Sequence, residues 1–118
     1  MIEITQSDDR VILDARGKLT HEDYERVVPR LEGAIERTGK LRVLIRLEDF
    51  SGWTPTSLLD EVRFDVRHRK DFEKVAVVGE SRWERVATKL SAPLFSGEVR
   101  FFEHEAEAEA WLGEPSPH

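Results

Sequence analysis

Along Leu41–Leu47 the apolar residues Leu41, Val43, Ile45 and Leu47 alternate with Arg42, Leu44 and Arg46, the period of a strand with one buried face. Upstream, Ile2–Thr5 and Val11–Gly17 read as two further strands, and the turn-forming Ser7-Asp8-Asp9 between them predicts a hairpin. The period then lengthens. Thr20 with Asp23 three residues on resembles a capping box, and Tyr24, Val27, Val28, Leu31 and Ile35 recur at helical spacing until Gly39. Pro29 lies inside this first helix, where its missing backbone donor and its clash with the preceding turn predict a kink or a division.

Past the Leu41–Leu47 strand, Thr54 and Pro55 read as the N-cap and first position of a second helix with the stripe Leu58, Leu59, Val62 and Val66. Lys74–Gly79 is a short apolar strand. Ser81 with Glu84 makes a second capping box, ahead of a third helix that carries Trp83, Val86, Ala87, Leu90 and Leu94 and ends near Pro93. Glu98–Phe102 is the last strand, and Glu105–Leu112 a last short helix closed by Gly113. The domain is expected to span residues 1–113, with 114–118 as a disordered tail.

Strands that alternate with helices imply crossovers, hence an α/β fold with a mainly parallel sheet of about five strands and one antiparallel strand from the N-terminal hairpin. Strand parity adds a constraint. Asp14, Arg16, Arg42, Arg46 and Arg100 fall on the positions opposite Leu13, Val43, Ile45 and Val99. A sheet covered by helices on both faces would not tolerate that many charges. The helices are therefore expected mostly on one face, leaving the other partly wet.

Composition narrows the function classes. A chain of 118 residues with 39% hydrophobic content fits one core. No apolar run approaches the roughly 20 residues of a membrane span, and the first residues lack a signal-peptide core, which predicts a cytoplasmic protein. With no cysteine, a disulfide framework, a thiolate nucleophile and Cys-ligated metals are excluded. A net charge of −6 argues against nucleic acid as a partner.

The run from Gly17 to Leu112 resembles the SpoIIAA-like family of small bacterial STAS-like domains. The most specific pieces are Asp49-Phe50 to Trp53, Lys74-Val75-Ala76-Val77-Val78-Gly79 with Arg82-Trp83, Phe101-Phe102, and Ala110-Trp111-Leu112. The resemblance implies the β-α superhelix shared by anti-sigma factor antagonists and the CRAL-TRIO lipid-binding domains. In the antagonists a serine ahead of the second helix is phosphorylated and switches protein binding. Here Thr54, Pro55 and Thr56 occupy that place, so the serine is missing, and Thr54 is at once a candidate phosphorylation site and a plain N-cap.

The lipid-binding relatives suggest a different function. Trp53, Leu58, Val62, Phe64, Trp83 and Leu90 are apolar residues of the second and third predicted helices and the segments leading into them, and they are expected to border a pocket for a small apolar or lipid-like ligand, or else to fill one core. Phe64 sits roughly 200° from Val62 around its helix and so leaves the main stripe. Beside Arg63, Arg67, His68, Arg69 and Lys70 it could face a membrane surface or a second subunit, although those cations also suit a helix C-terminus.

Catalytic and cofactor signals are weak. His21-Glu22-Asp23 suits a capped first turn better than a metal, and His68 lies among cations that repel one. Ser51-Gly52 lacks a nucleophile-elbow pattern. The expectation is a non-enzymatic, cofactor-free binding domain for an apolar ligand, with possible peripheral membrane association; a protein-interaction module is the alternative.

Overall fold

The computed structural model describes residues 1–7, 10–57, 60, 63, 67, 70–84 and 98–115. Five strands form one sheet in the order in which they occur: β1 (Ile2–Ser7), β2 (Arg10–Leu19), β3 (Leu41–Trp53), β4 (Phe72–Val78) and β5 (Glu98–Phe102). β1 runs antiparallel to β2, and each later pair is parallel. This is the α/β architecture with an N-terminal hairpin that the periodicity predicts.

The long helix, His21–Thr38, begins where expected. Thr20 Oγ1 accepts from the Asp23 backbone N–H, and the Asp23 carboxylate accepts from the Thr20 N–H at 2.8 Å, closing the capping box. Burial pushes the Asp23 carboxyl up, but the Thr20 hydrogen bonds and the N-terminal ammonium at 3.4 Å outweigh it and leave the group below its ordinary value. Of the kink or division expected at Pro29, the division does not occur, and the helix runs unbroken from His21 to Thr38. Its ring is on the exposed side, while Val27 and Leu31 are buried against the sheet. Those two residues alone contribute roughly 3–6 kcal/mol of apolar burial, enough to offset the ~3 kcal/mol that an interior proline costs.

The long helix covers the face formed by Val11, Leu13, Ala15, Val43, Val75 and Val77. On the opposite face lie Asp14, Arg16, Arg42, Arg46 and Arg100, as parity requires. That face is not bare. The C-terminal helix, Glu105–Leu112, packs Ala108, Trp111 and Leu112 onto Leu44 and Ala76 to make a second, smaller core.

Charges around this smaller core are paired rather than hydrated. Arg46 binds Asp14 through two hydrogen bonds of 2.6 and 2.9 Å, and Arg42 binds Glu73 at 3.1 Å. Lys74, only 2% exposed, donates to the carbonyls of Trp111 at 3.0 Å and Glu114 at 2.8 Å, and lies 5.0 Å from the Trp111 ring centre. Arg42 donates to the carbonyls of Leu112 and Glu114. Two cations thus serve carbonyls at and just past the helix C-terminus, of which Trp111's also accepts from the Glu114 N–H. Arg100 stacks on the same indole at 5.4 Å, and Arg10 pairs with Glu109. Glu114, expected in the tail, is held by this clamp; residues 116–118 lie outside the described residues.

Two further expectations change. β3 runs six residues past Leu47 to Trp53. At Ser81 the chain forms a short 3-10 turn, Ser81–Trp83, whose N-cap is Glu80, with no side-chain cap hydrogen bond. The rest of the expected third helix falls outside the described residues.

Candidate functional site

The extension of β3 builds the end of the sheet where the candidate residues gather. Arg16 pairs with Glu48, but Gly17 pairs with Phe50 and Lys18 with Gly52, so Asp49 and Ser51 are extra residues in β3. Asp49 adopts φ 50° and Gly52 φ 114°, the left-handed backbone that Asp tolerates and Gly favours. Each extra residue inverts the side-chain parity of the strand beyond it. Phe50 would otherwise point to the charged face; the bulge at Asp49 turns it into the main core, where it is 2% exposed. The bulge at Ser51 restores the original parity, so that Trp53, paired with Leu19, also faces inward.

Phe50 is the hub of an aromatic cluster. Its ring meets Trp53 edge-on at 5.0 Å and Trp83 at 4.9 Å, and the two indoles are 6.4 Å apart. Trp53 Nε1 donates to the Tyr24 hydroxyl at 2.9 Å, tying the cluster to the long helix. Trp83 Nε1 is buried with no hydrogen-bond partner, unlike any other side-chain polar atom among the described residues.

Beyond Trp53 a helical segment begins, with residues 55–57, 60, 63 and 67 described as helix. Thr54 is its N-cap: its Oγ1 accepts from the Ser57 N–H at 3.2 Å. The Thr54 N–H and the buried Ser57 hydroxyl both donate to the Leu19 carbonyl, at 2.9 and 2.7 Å. The segment's first turn is thereby fixed to the end of β2, leaving Pro55 and Thr56 exposed. The open backbone donors and dipole of such a turn favour an anion.

His21 links this segment to the long helix. Its Nδ1 is 2.6 Å from Asp60 and its Nε2 2.6 Å from Glu25, so both ring nitrogens face carboxylates. The Asp60 hydrogen bond, with the charges of Asp60, Glu25 and Glu22, raises the imidazole above its ordinary 6.5 against a smaller opposing effect of burial. A raised folded-state value means that the link stabilises below pH 6.5 and is lost as pH climbs through the folded value. NMR titration of the His21 ring should give a midpoint above 6.5, and Asp60→Asn should lower it. An unchanged midpoint in that variant would remove Asp60 as the cause.

Of the residues predicted to border a ligand, Trp53 and Trp83 come together on Phe50, while Leu58, Val62, Phe64 and Leu90 lie outside the described residues. Of the basic cluster, Arg63 and Arg67 are exposed, Arg67 pairs with Glu32 at 3.3 Å, and His68 and Arg69 are not described. Among the described residues no group of three or more acidic, His or Cys side chains is placed to hold a metal, and no helix is long and apolar enough to cross a membrane. Sequence reasoning misses the Phe50 hub and the His21–Asp60 contact. The contact joins residues 39 apart, and no local pattern reports it.

Comparison with known proteins bears on both fold and family. An uncharacterized protein of the DUF3478 family from Shewanella loihica PV-4, with a SpoIIAA-like fold, matches at a TM-score of 0.80 and 34% identity, covering 95% of this chain and 92% of that one. The anti-sigma factor antagonist SpoIIAA, in its unphosphorylated form, matches at a TM-score of 0.63 and 14% identity over 95% of this chain and 97% of its own. That second likeness is one of fold alone. No curated protein matches the chain. A family model described as SpoIIAA-like fits residues 10–113, nearly the whole chain, and with the identity to the Shewanella protein it establishes that this chain belongs to the SpoIIAA-like family.

Proposed function

We propose that this protein is a non-catalytic regulatory module that acts by binding another protein, using the exposed start of the helical segment at Pro55 and Thr56 as its contact surface. The observation that carries this reading is the fixed presentation of that turn: Thr54 and Ser57 lock its backbone to Leu19 while Pro55 and Thr56 face outward. A fold shared with an anti-sigma factor antagonist supports it. In this reading a phosphate on Thr54 would displace the Ser57 cap and place an anion at the helix start, so modification would change the contact surface.

A photo-crosslinking residue placed at Thr56 tests the proposal in cells. The expected result is a discrete protein adduct that is absent when the same residue replaces Arg30, exposed on the long helix. Equal labelling from both positions would overturn it. A second reading, uptake of a small apolar or lipid-like molecule, is supported by the aromatic cluster with its unpartnered Trp83 N–H. A stoichiometric lipid in an organic extract of the purified protein, together with no Thr56 adduct, would favour that reading.

A further inference from the structure

The helical segment that begins after Trp53 is tied to the long helix, and to the strand end before it, at Ser57, Asp60 and Arg67. The Ser57 hydroxyl donates to the Leu19 carbonyl at 2.7 Å, Asp60 meets His21 Nδ1 at 2.6 Å, and Arg67 pairs with Glu32 at 3.3 Å. On a regular helix these positions fall within about 80° of one another, so the ties form a single seam. They differ in what can undo them. The Ser57 bond does not titrate near neutral pH, and the Arg67 pair is an exposed one, to which solvent leaves little strength. Among these ties only the His21 contact changes its charge between about pH 5 and about pH 8.

The geometry at His21 sets its proton count. Nδ1 faces the Asp60 carboxylate and Nε2 the Glu25 carboxylate, each at 2.6 Å. A carboxylate only accepts, so each contact needs an N–H, and imidazole has two only when it is cationic. The charged groups facing the ring are Glu22 and Glu25 on its own helix and Asp60 across the seam. Asp23 is turned instead to the Thr20 N–H and the N-terminal ammonium, and the strand ends bring Leu19 and Trp53, which carry no charge. Three carboxylates thus hold a cation in the first turn of a helix, where the dipole by itself disfavours one. Loss of the proton leaves one N–H for two carboxylates and removes the positive charge from among them. Asp60 is then held by at most a hydrogen bond to a neutral donor, about half as strong as a charge-assisted one.

We infer that His21 is a pH-operated latch, whose imidazolium clamps the helical segment to the long helix through Asp60 and whose neutral ring lets that part of the segment lift. The latch is closed in acid and loosens as pH rises through the folded-state value of His21, which the carboxylates place above 6.5. Opening leaves the Pro55–Thr56 turn in place, because the Thr54 N–H and the Ser57 hydroxyl stay bound to Leu19. It acts on Asp60, Arg63 and Arg67, and so stands whether or not that turn contacts a protein.

Amide hydrogen exchange followed by NMR tests this on the full chain at about pH 6 and about pH 8, with rates corrected for the pH dependence of the exchange chemistry itself. Corrected exchange at Asp60, Arg63 and Arg67 should be several times faster at the higher pH, with a ceiling of about tenfold per pH unit for release of one proton. Exchange at Val27 and Leu31, buried in the long helix, should not change. His21→Gln should exchange fast at both pH values. His21→Arg, which keeps a permanent charge and donors for two carboxylates, should exchange slowly at both. Exchange at the three segment positions that ignores pH in the parent would overturn the proposal, as would a pH response that survives in His21→Gln. So would an equal acceleration at Val27 and Leu31, the mark of general destabilisation rather than of a latch.

Discussion

Phe50→Ala is expected to destabilise the protein by about 4 kcal/mol, within the usual 3–5 kcal/mol for truncating a core aromatic. The ring is almost fully buried and is the one member of the aromatic cluster within 5.0 Å of both indoles. Its loss removes two edge-on contacts, worth roughly 0.5–1.5 kcal/mol each beyond burial, and leaves a void where β3 cannot collapse because the bulges fix its path. Since native domains have only about 5–15 kcal/mol in hand, the variant should unfold at much lower urea. Emission from Trp53 and Trp83 should shift red even in its folded form. Phe50→Leu, which keeps most of the volume, should cost about 1.5 kcal/mol and provides a measurable intermediate. A loss below that value for alanine would mean the cluster is not centred on Phe50.

Lys74→Ala is expected to cost about 3 kcal/mol. Removing the ammonium takes one donor from the buried Trp111 carbonyl, which keeps the Glu114 N–H at 3.1 Å, and weakens the hold on Glu114, whose carbonyl Arg42 still serves. Hydrogen bonds from a charged donor contribute roughly 1.5–3 kcal/mol, and the vacated aliphatic stem and cation–π contact add to that. Against this stands the desolvation of a buried cation, which alanine relieves. Lys74→Met separates the contributions, because it refills the volume without the charge. If Lys74→Met were as stable as the parent in urea denaturation, the hydrogen bonds would merely repay desolvation and the clamp would have no net value.

These two residues also show where sequence reasoning stops. The limits of the last strand and helix, the capping box at Thr20 and the common face of the five charged residues all follow from local periodicity and parity, which need no knowledge of neighbours. Phe50 defeats parity because its direction depends on an extra residue at Asp49, and only the pairing with Gly17 reveals a bulge. Lys74 falls in line with Ala76 on its strand, yet its burial depends on a helix that arrives 37 residues later. Pro29 escapes the local rule against interior prolines because packing on the sheet decides there. At the candidate site, Trp53 and Trp83 are visible as large apolar residues and Thr54 as a cap. What holds them in place, the Phe50 ring and Tyr24 hydroxyl for the indoles and the Leu19 carbonyl for Thr54, is long-range and leaves no trace in spacing.

Because each strand pairs with its immediate predecessor in the chain, the sheet can be laid down in the order of synthesis, with no strand waiting for one made much later. The second core has no such freedom. Leu44 and Ala76 emerge early, yet their cover, Trp111 and Leu112, comes almost last, and the Arg10–Glu109 pair spans 99 positions. A nascent chain that has just finished β5 would therefore have its hydrogen-bonded ladder complete and one apolar strip uncovered. That strip stays open to water until Glu105–Leu112 has followed β5 out of the ribosome.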